Sequence, residues 1–275
     1  MTTSILITGC STGIGRHCAL ALNQAGYTVI ASCRRTEDVA ELQGQGLHCV
    51  QIDLNCSQSI QHGLTETLKI TGGRLDILFN NAAYGQPGAL EDLPTQALRE
   101  QFETNLFGWH ELTKAVIPLM LQQGSGKIVQ NSSVLGLVAM KYRGAYNASK
   151  FALEGYTDTL RLELTDTPVQ VSLIEPGPIR SHFRENAKQK FEQYIDIASS
   201  RHQPSYKKTL DRLGKSSPTN KFTLSPEAVL QPLLHIINND KPKPRYFVTQ
   251  PTYLFGFLRR LLPTRWLDKL LVKSN

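Results

Sequence analysis

Between Ser4 and Ile174 the chain alternates short β-branched runs with longer stretches of helical period, and this constrains its fold more than any other feature. Ser4–Thr8, Thr28–Ala31, His48–Ile52, Leu75–Phe79, Lys127–Gln130 and Val169–Ile174 read as strands. Ile14–Gln24, Glu37–Gln43, Ser57–Ile70, Thr95–Gln122 and Ala145–Leu164 place apolar residues at i, i+3 and i+4 and read as helices. A helix between successive strands forces parallel crossovers, since only antiparallel strands can be joined by a tight turn. The pattern therefore predicts an α/β domain, a parallel sheet between two layers of helices. Near-continuous apolar runs such as Leu75–Phe79 agree, because a parallel strand is covered on both faces.

Beyond Pro176 the pattern loosens. Ser181–Gly214 is polar and helical in composition, Ser216–Asn220 reads as a loop, and Ser225-Pro-Glu opens another helix. Arg245–Thr249, after Pro242 and Pro244, suits an edge strand. Residues 181–224 sit where an insertion would cover the end of the sheet and are read as a helical lid. A length of 275 residues then divides into one domain over 1–250 and an extension over 251–275.

The first strand runs straight into Gly9-Cys-Ser-Thr-Gly-Ile-Gly15 and a helix. So tight a turn calls for glycine at Gly9, close approach of backbone to a pyrophosphate calls for a missing Cβ near Gly13, and Gly15 lets the helix settle on the sheet. The helix N-terminus supplies N–H groups for an anion. Glycines also mark plain turns; their place after the first strand of an alternating chain is what favours a nucleotide. The end of the second strand bears on which one. An acid there would accept from a ribose 2′-hydroxyl and repel a 2′-phosphate. The chain instead has Ala31-Ser-Cys-Arg-Arg35, with no acid and two guanidinium forks suited to phosphate. A solvated basic turn is the other reading of the same residues.

Tyr146 and Lys150 stand four apart and so share a helix face. Alone, such a pair is ordinary helix surface. With Ser133 thirteen residues earlier, at the end of a strand, it becomes a candidate acid–base site. A phenol with a pKa of about 10 is a poor base at neutral pH, and a nearby ammonium favours its phenolate. A serine hydroxyl can polarise a carbonyl oxygen that becomes an alkoxide. No two of the seven histidines stand at i, i+4, and Ser132 and Ser133 lack a G-x-S-x-G elbow, so zinc-helix and hydrolase chemistries fall away.

Taken together, Thr8–Gly15, Asn80-Asn-Ala82, Asn105, Ser133, Tyr146–Lys150 and Pro176-Gly177 resemble, in order and spacing, the motifs of the short-chain dehydrogenase/reductase family over residues 3–182. The resemblance implies a single Rossmann-type domain, doubly wound in three layers around a seven-stranded parallel sheet. It implies Tyr146 as general acid/base, Lys150 as the group that lowers its pKa and binds the nicotinamide ribose, and Ser133 as the holder of the carbonyl. Asn105 would hold a water in a proton relay, with a helix-start cap or buried polar group as the plainer alternative. Cofactor contacts are implied at Gly9, Ser11, Thr12, Gly13, Ile14 and Gly15, at Arg34 and Arg35, and at Asp53 and Leu54 beside the adenine. Asn81 and Ala82 would line the cofactor, and Pro176, Gly177, Ile179 and Ser181 would surround the carboxamide. Ala83 replaces the family's usual glycine, and Ser181 stands where threonine is commoner.

Among subgroups, Gly9–Gly13, Ser32-Cys-Arg34, Glu175–Arg180, Lys241–Tyr246 and Arg260–Pro263 resemble the NADP-dependent aldehyde reductases of bacteria, related to 17β-hydroxysteroid and retinol dehydrogenases. The expected activity is NADPH-dependent reduction of an aldehyde or apolar ketone to an alcohol, with no metal. One alternative is an NADP(+)-dependent hydroxysteroid- or retinol-type alcohol dehydrogenase. Another, of a different class, is a catalytically silent nucleotide-sensing protein, against which the full set Asn105, Ser133, Tyr146 and Lys150 speaks. The substrate itself is not legible in 181–224.

The distribution of charge bears on partners. The net +7 comes from 30 Lys and Arg against 23 Asp and Glu, yet residues 241–275 hold eight of the cations and one acid, leaving the rest balanced. A nucleic-acid binder would spread its cations along a groove-sized stripe, so nucleic acid is not expected. No apolar run approaches the roughly 18 residues of a membrane-spanning helix. In the tail, Leu254, Phe255, Phe257, Leu258, Leu261 and Leu262 form an apolar stripe that breaks at Pro263 and resumes at Trp266, Leu267, Leu270 and Leu271. Arg259, Arg260, Arg265, Lys269 and Lys273 lie between. Such a stretch can lie in a membrane interface; it can equally cover the substrate pocket or a contact in a homo-oligomer, a dimer or tetramer being expected. Five clustered cysteines without a CxxC pair suit a reduced chain, and Met1–Cys10 lacks a basic leader region. The expected location is cytoplasmic, peripheral to the inner face of the membrane if the tail meets lipid.

Overall fold

In a computed structural model that describes residues 2–214 and 221–273, seven strands form one wholly parallel sheet. They are β1 (Ser4–Thr8), β2 (Thr28–Cys33), β3 (His48–Gln51), β4 (Ile77–Asn80), β5 (Gly126–Asn131), β6 (Val169–Glu175) and β7 (Arg245–Phe247). Their order is β3-β2-β1-β4-β5-β6-β7. The expected loop Ser216–Asn220 lies outside the described residues.

Alternation of side chains along the strands builds a core on each face. On one face Ile5 and Ile7 of β1 pack with Cys18 and Leu22 of helix α1 (Gly13–Gln24), Leu42 of α2 (Thr36–Gly44) and Leu233 of α9 (Glu227–Asn238). On the other, Leu6, Leu78 and Ile128 meet Ile60 of α3 (Ser57–Ile70), Val116 of α5 (Gly108–Gln123) and Leu153 of α6 (Gly144–Glu163). All of these residues are at most 1% exposed, which is the three-layer, doubly wound arrangement expected.

One expected element is divided. Thr95–Gln122 reads as a single helix, whereas the structure has α4 (Thr95–Phe102), a π-helical turn over Glu103–Phe107, and then α5. A π turn inserts one residue and advances later side chains by about 100°, which i, i+3, i+4 spacing absorbs without a visible break. After the turn α5 presses on the end of β3: a Cβ at Gly108 would lie 2.2 Å from the Leu54 carbonyl oxygen.

The chain leaves the body after Arg180 and is joined to it again at Leu224, where Arg180 N donates to Leu224 O (2.9 Å) and Leu224 N to Pro178 O (3.1 Å). Within the excursion, α7 (Phe183–Tyr194) and α8 (Gln203–Leu213) share a core of Phe191, Ile195 and Tyr206 with Ala89. The tail forms α10 (Gln250–Leu261) and α11 (Thr264–Lys273), broken at Pro263 as its cyclic side chain requires. No helix among the described residues is long and apolar enough to cross a membrane.

Candidate active site

In a sheet of this order the chain moves outward from β1 to β3 and then crosses to β4, opening a crevice at the carboxyl ends of β1 and β4. Thr8 pins the two sides together: its Oγ1 accepts from the N–H groups of Asn81 (2.9 Å) and Ala82 (3.0 Å). Gly9 follows with φ +73°, and a Cβ there would lie 2.6 Å from Ala82 Cα. Gly13 has φ +60°, and its Cβ would lie 2.9 Å from the Cβ of Ser181, so two distant expected site residues meet across this turn. Gly15 has no room for a side chain either, with Gly9 O 2.3 Å from its would-be Cβ. Thr12 caps α1 in extended conformation without spending its hydroxyl on the helix. The first-turn N–H groups of α1, Ile14 included, face the crevice end of the helix dipole, and Ser11 is steadied by Arg16 Nη1 donating to its carbonyl (3.2 Å).

At the end of β2 the two arginines differ. Arg35 closes a two-pronged bond on Asp38 (2.9 and 2.8 Å) in the first turn of α2. Exposed Arg34 pairs with no carboxylate among the described residues, and its backbone is held by Gln51 Nε2 donating to its carbonyl (2.9 Å). At the end of β3, Asp53 N donates to Ser59 Oγ (2.9 Å) and its carboxylate accepts from Asn55 N (3.0 Å), while Leu54 is buried.

The acid–base candidates gather where β5 ends. Ser133 starts a 3-10 turn over Val134–Gly136, and its Oγ accepts from Leu135 N (3.1 Å). Asn147 ties that turn to α6, its Nδ2 donating to Leu135 O (3.2 Å) and Val138 O (2.9 Å). The neighbouring Tyr146 is thereby placed close to Ser133. Half-buried Tyr146 has its pKa pushed up to about 12 by loss of solvent, against the pull of the Ser133 hydroxyl and the Arg143 charge.

Lys150, one turn along α6, is buried; loss of solvent lowers its pKa to about 7, opposed by the charge of Glu154. Its Nζ donates to Asn131 O (2.8 Å) and stands 4.5 Å from the Trp109 ring centroid and 5.8 Å from that of Tyr146. Asn105, in the π turn, is fully buried, and its side chain both accepts from Tyr84 N (3.2 Å) and donates to Tyr84 O (3.0 Å) and Ser149 Oγ (3.2 Å). Beyond β6, the carbonyl of buried Pro176 accepts from Val134 N (2.8 Å), Gly177 abuts Thr249, and Ile179 packs on the core beside α1.

Several residues here escape sequence reasoning. Asn131 joins Lys150 to the first crevice, its Nδ2 donating to Asn81 Oδ1 (2.8 Å). A polar residue ending the apolar run of β5 was its only signal. Trp109, one helical turn beyond Asn105, donates from Nε1 to Ala82 O (2.8 Å) and supports Lys150 from below. Phe183, the first residue of α7, packs edge-on to Tyr146 at 5.3 Å between centroids. Val134, Leu135 and Val138 join Phe255 of α10 and Leu267 and Leu271 of α11 in an apolar cluster beside Tyr146. Tyr146 therefore packs against an apolar surface assembled from separate parts of the chain. Among the described residues no group of His, Cys, Asp and Glu is placed to hold a metal ion.

The chain is 41% identical over 271 residues to an uncharacterized oxidoreductase, YbbO, of Escherichia coli, covering 98% of this chain and 94% of that one. It is 31% identical over 277 residues to an NADPH-dependent 3-dehydrocapnine reductase of Ornithobacterium rhinotracheale, covering 98% and 96%. A crystal structure of a short-chain dehydrogenase from Streptomyces avermitilis superposes with a TM-score of 0.77 at 26% identity, over 98% of this chain and 93% of that one. Residues 3–192 match the pattern of the short chain dehydrogenase family, a span from β1 into α7 that takes in the glycine turn, Ser133, Tyr146 and Lys150. The chain belongs to the short-chain dehydrogenase/reductase family and is an oxidoreductase.

Proposed function

We propose that this protein reduces the carbonyl of an apolar aldehyde or ketone to an alcohol with NADPH. The observation that carries the reading is the placing of Tyr146 beside Ser133 and against the apolar cluster of Val134, Val138 and Leu271. The crevice fits a dinucleotide phosphate: Gly9 and Gly13 present bare backbone, and α1 points its N-terminus there. Gly9, Ser11, Thr12, Gly13, Ile14 and Gly15 would hold the pyrophosphate, Asp53 and Leu54 the adenine, and Asn81 and Ala82 the middle of the molecule. Lys150 would hold the ribose, and Pro176, Gly177, Ile179 and Ser181 the nicotinamide end. Arg34, with no carboxylate beside it, would grip the 2′-phosphate that distinguishes NADPH, with Arg35 secondary because Asp38 occupies its fork. A full-length relative whose name states NADPH dependence supports this choice.

When bound, the reduced nicotinamide supplies the hydride. Ser133 holds the carbonyl oxygen, and Tyr146 gives that oxygen its proton as negative charge develops. With its pKa near 12 the phenol is protonated throughout the neutral range and so begins the reaction as an acid. Lys150, when charged, stabilises the phenolate left behind. The apolar cluster and Phe183 exclude water from the reacting oxygen, with α7 and α8 as the lid.

The test is NADPH oxidation against a panel of aldehydes, ketosteroids and retinal, in the parent and in Tyr146→Phe. The variant keeps the ring but has no proton to give, so turnover should fall by roughly 10²–10⁴ with NADPH binding retained. A variant within about threefold of the parent would remove Tyr146 from the chemistry.

A further inference from the structure

A helix on the surface of a domain normally turns its polar side outward. α10 does the reverse. Its inward side carries small residues, Thr252 and Gly256, the latter so close to Phe247 that a Cβ would lie 2.8 Å from that ring. Its outward side carries Tyr253, Leu254, Phe257 and Leu261, which are 54–61% exposed. α11 extends the patch with Trp266 and Leu270, 66% and 44% exposed. Contiguous exposed apolar area of this kind marks a binding surface. It is bordered by exposed Arg260, Arg265, Lys269 and Lys273, none paired with a carboxylate among the described residues, and Asp268 is the one acid between residues 241 and 275.

The inward sides of the same helices supply Phe255, Leu267 and Leu271 to the cluster beside Tyr146. The two uses open to the tail in the sequence, pocket cover and surface contact, thus fall on different sides of α10 and α11. What covers the outer face is decided by charge. A second copy of this chain meeting it across a two-fold axis would set the same four cations against themselves. An anionic bilayer accepts the apolar side chains, attracts all four cations, and suits a tryptophan at the interface.

We infer that the outer face of α10 and α11 docks on an anionic lipid surface.

Flotation of the full chain with phosphatidylcholine vesicles, with and without about one third phosphatidylglycerol, tests the docking. Binding should require the anionic lipid and weaken near 1 M salt, where the screening length falls to about 3 Å. Phe257→Glu and Leu261→Glu should each lower vesicle binding more than tenfold while leaving thermal unfolding and turnover of a short, water-soluble aldehyde unchanged. Arg260→Glu combined with Lys269→Glu should do the same, since each cation near an anionic surface contributes roughly fivefold; this pair decides the matter should the apolar variants fail to fold. Absence of binding to anionic vesicles overturns the inference. So does a change of oligomeric state in these variants without vesicle binding, which would give the face to a second copy. Vesicle binding needs neither NADPH nor a carbonyl. A protein that floats but reduces nothing refutes the proposed function, and one that reduces aldehydes but ignores vesicles refutes the docking.

Discussion

Replacing Lys150 by methionine should stabilise the fold at neutral pH while removing turnover. The side chain is 1% exposed, and burial lowers its pKa from 10.5 to about 7. A change of that size corresponds to about 4–5 kcal/mol between the two protonation states. At pH 7 the unfolded chain carries this lysine fully charged, so nearly all of that cost is present in the folded state. Methionine is unbranched, of similar length and uncharged, and removes it. The substitution also strands the buried Asn131 carbonyl, which accepts from Nζ at 2.8 Å, at a cost of about 1–3 kcal/mol. The net expectation is a gain of about 1–4 kcal/mol at pH 7. Because the folded pKa lies below the unfolded one, the unfolded parent binds more protons between pH 7 and 10.5, and the parent gains stability as pH rises through that window. The variant lacks this slope, so its advantage should vanish or reverse by about pH 10. Urea unfolding of both proteins at pH 7 and at pH 10, with NADPH oxidation in parallel, reads out both effects. A variant less stable than the parent at pH 7, with the same pH slope, would refute the claim that the ammonium is held at a cost for the sake of the reaction.

The other expectations are more local. Arg34→Ala should raise the KM for NADPH about 10- to 150-fold, the equivalent of about 1.5–3 kcal/mol for a charge-assisted bond, and leave that for NADH nearly unchanged; an equal rise in both would place the phosphate elsewhere. Arg35→Ala should have a smaller effect, its fork being held by Asp38. Gly13→Ala, at φ +60° and with its Cβ 2.9 Å from that of Ser181, should cost about 1–3 kcal/mol of stability and weaken nucleotide binding measured by fluorescence. Phe183→Ala should raise the KM for bulky apolar carbonyls more than for a short aldehyde, and identical changes for both would exclude Phe183 from substrate contact.

The parallel sheet was legible because strand and helix periods are written within a few residues of each other. Ser4–Thr8 and Ser57–Ile70 coincide with their elements residue for residue, and the tail divides at Pro263 where a ring on the backbone ends a helix. The glycine turn was legible for the same local reason, since a positive φ at Gly9 and Gly13 is demanded by their own backbone. Tyr146 and Lys150 were named from their spacing and, with Ser133, from family resemblance. The remainder depended on pairs far apart in the chain. Period could not reveal the π turn that buries Asn105 against Tyr84 and Ser149. Position along the strand put Arg34 first for the phosphate, but only the fold shows that Arg35 is tied to Asp38. Nothing near Ser181 announces that it closes on Gly13, nor near Leu271 that it joins Val134 beside Tyr146. Backbone geometry sets period and turn within one helical turn of sequence, whereas these contacts exist only after parallel crossovers have carried distant segments to the same end of the sheet.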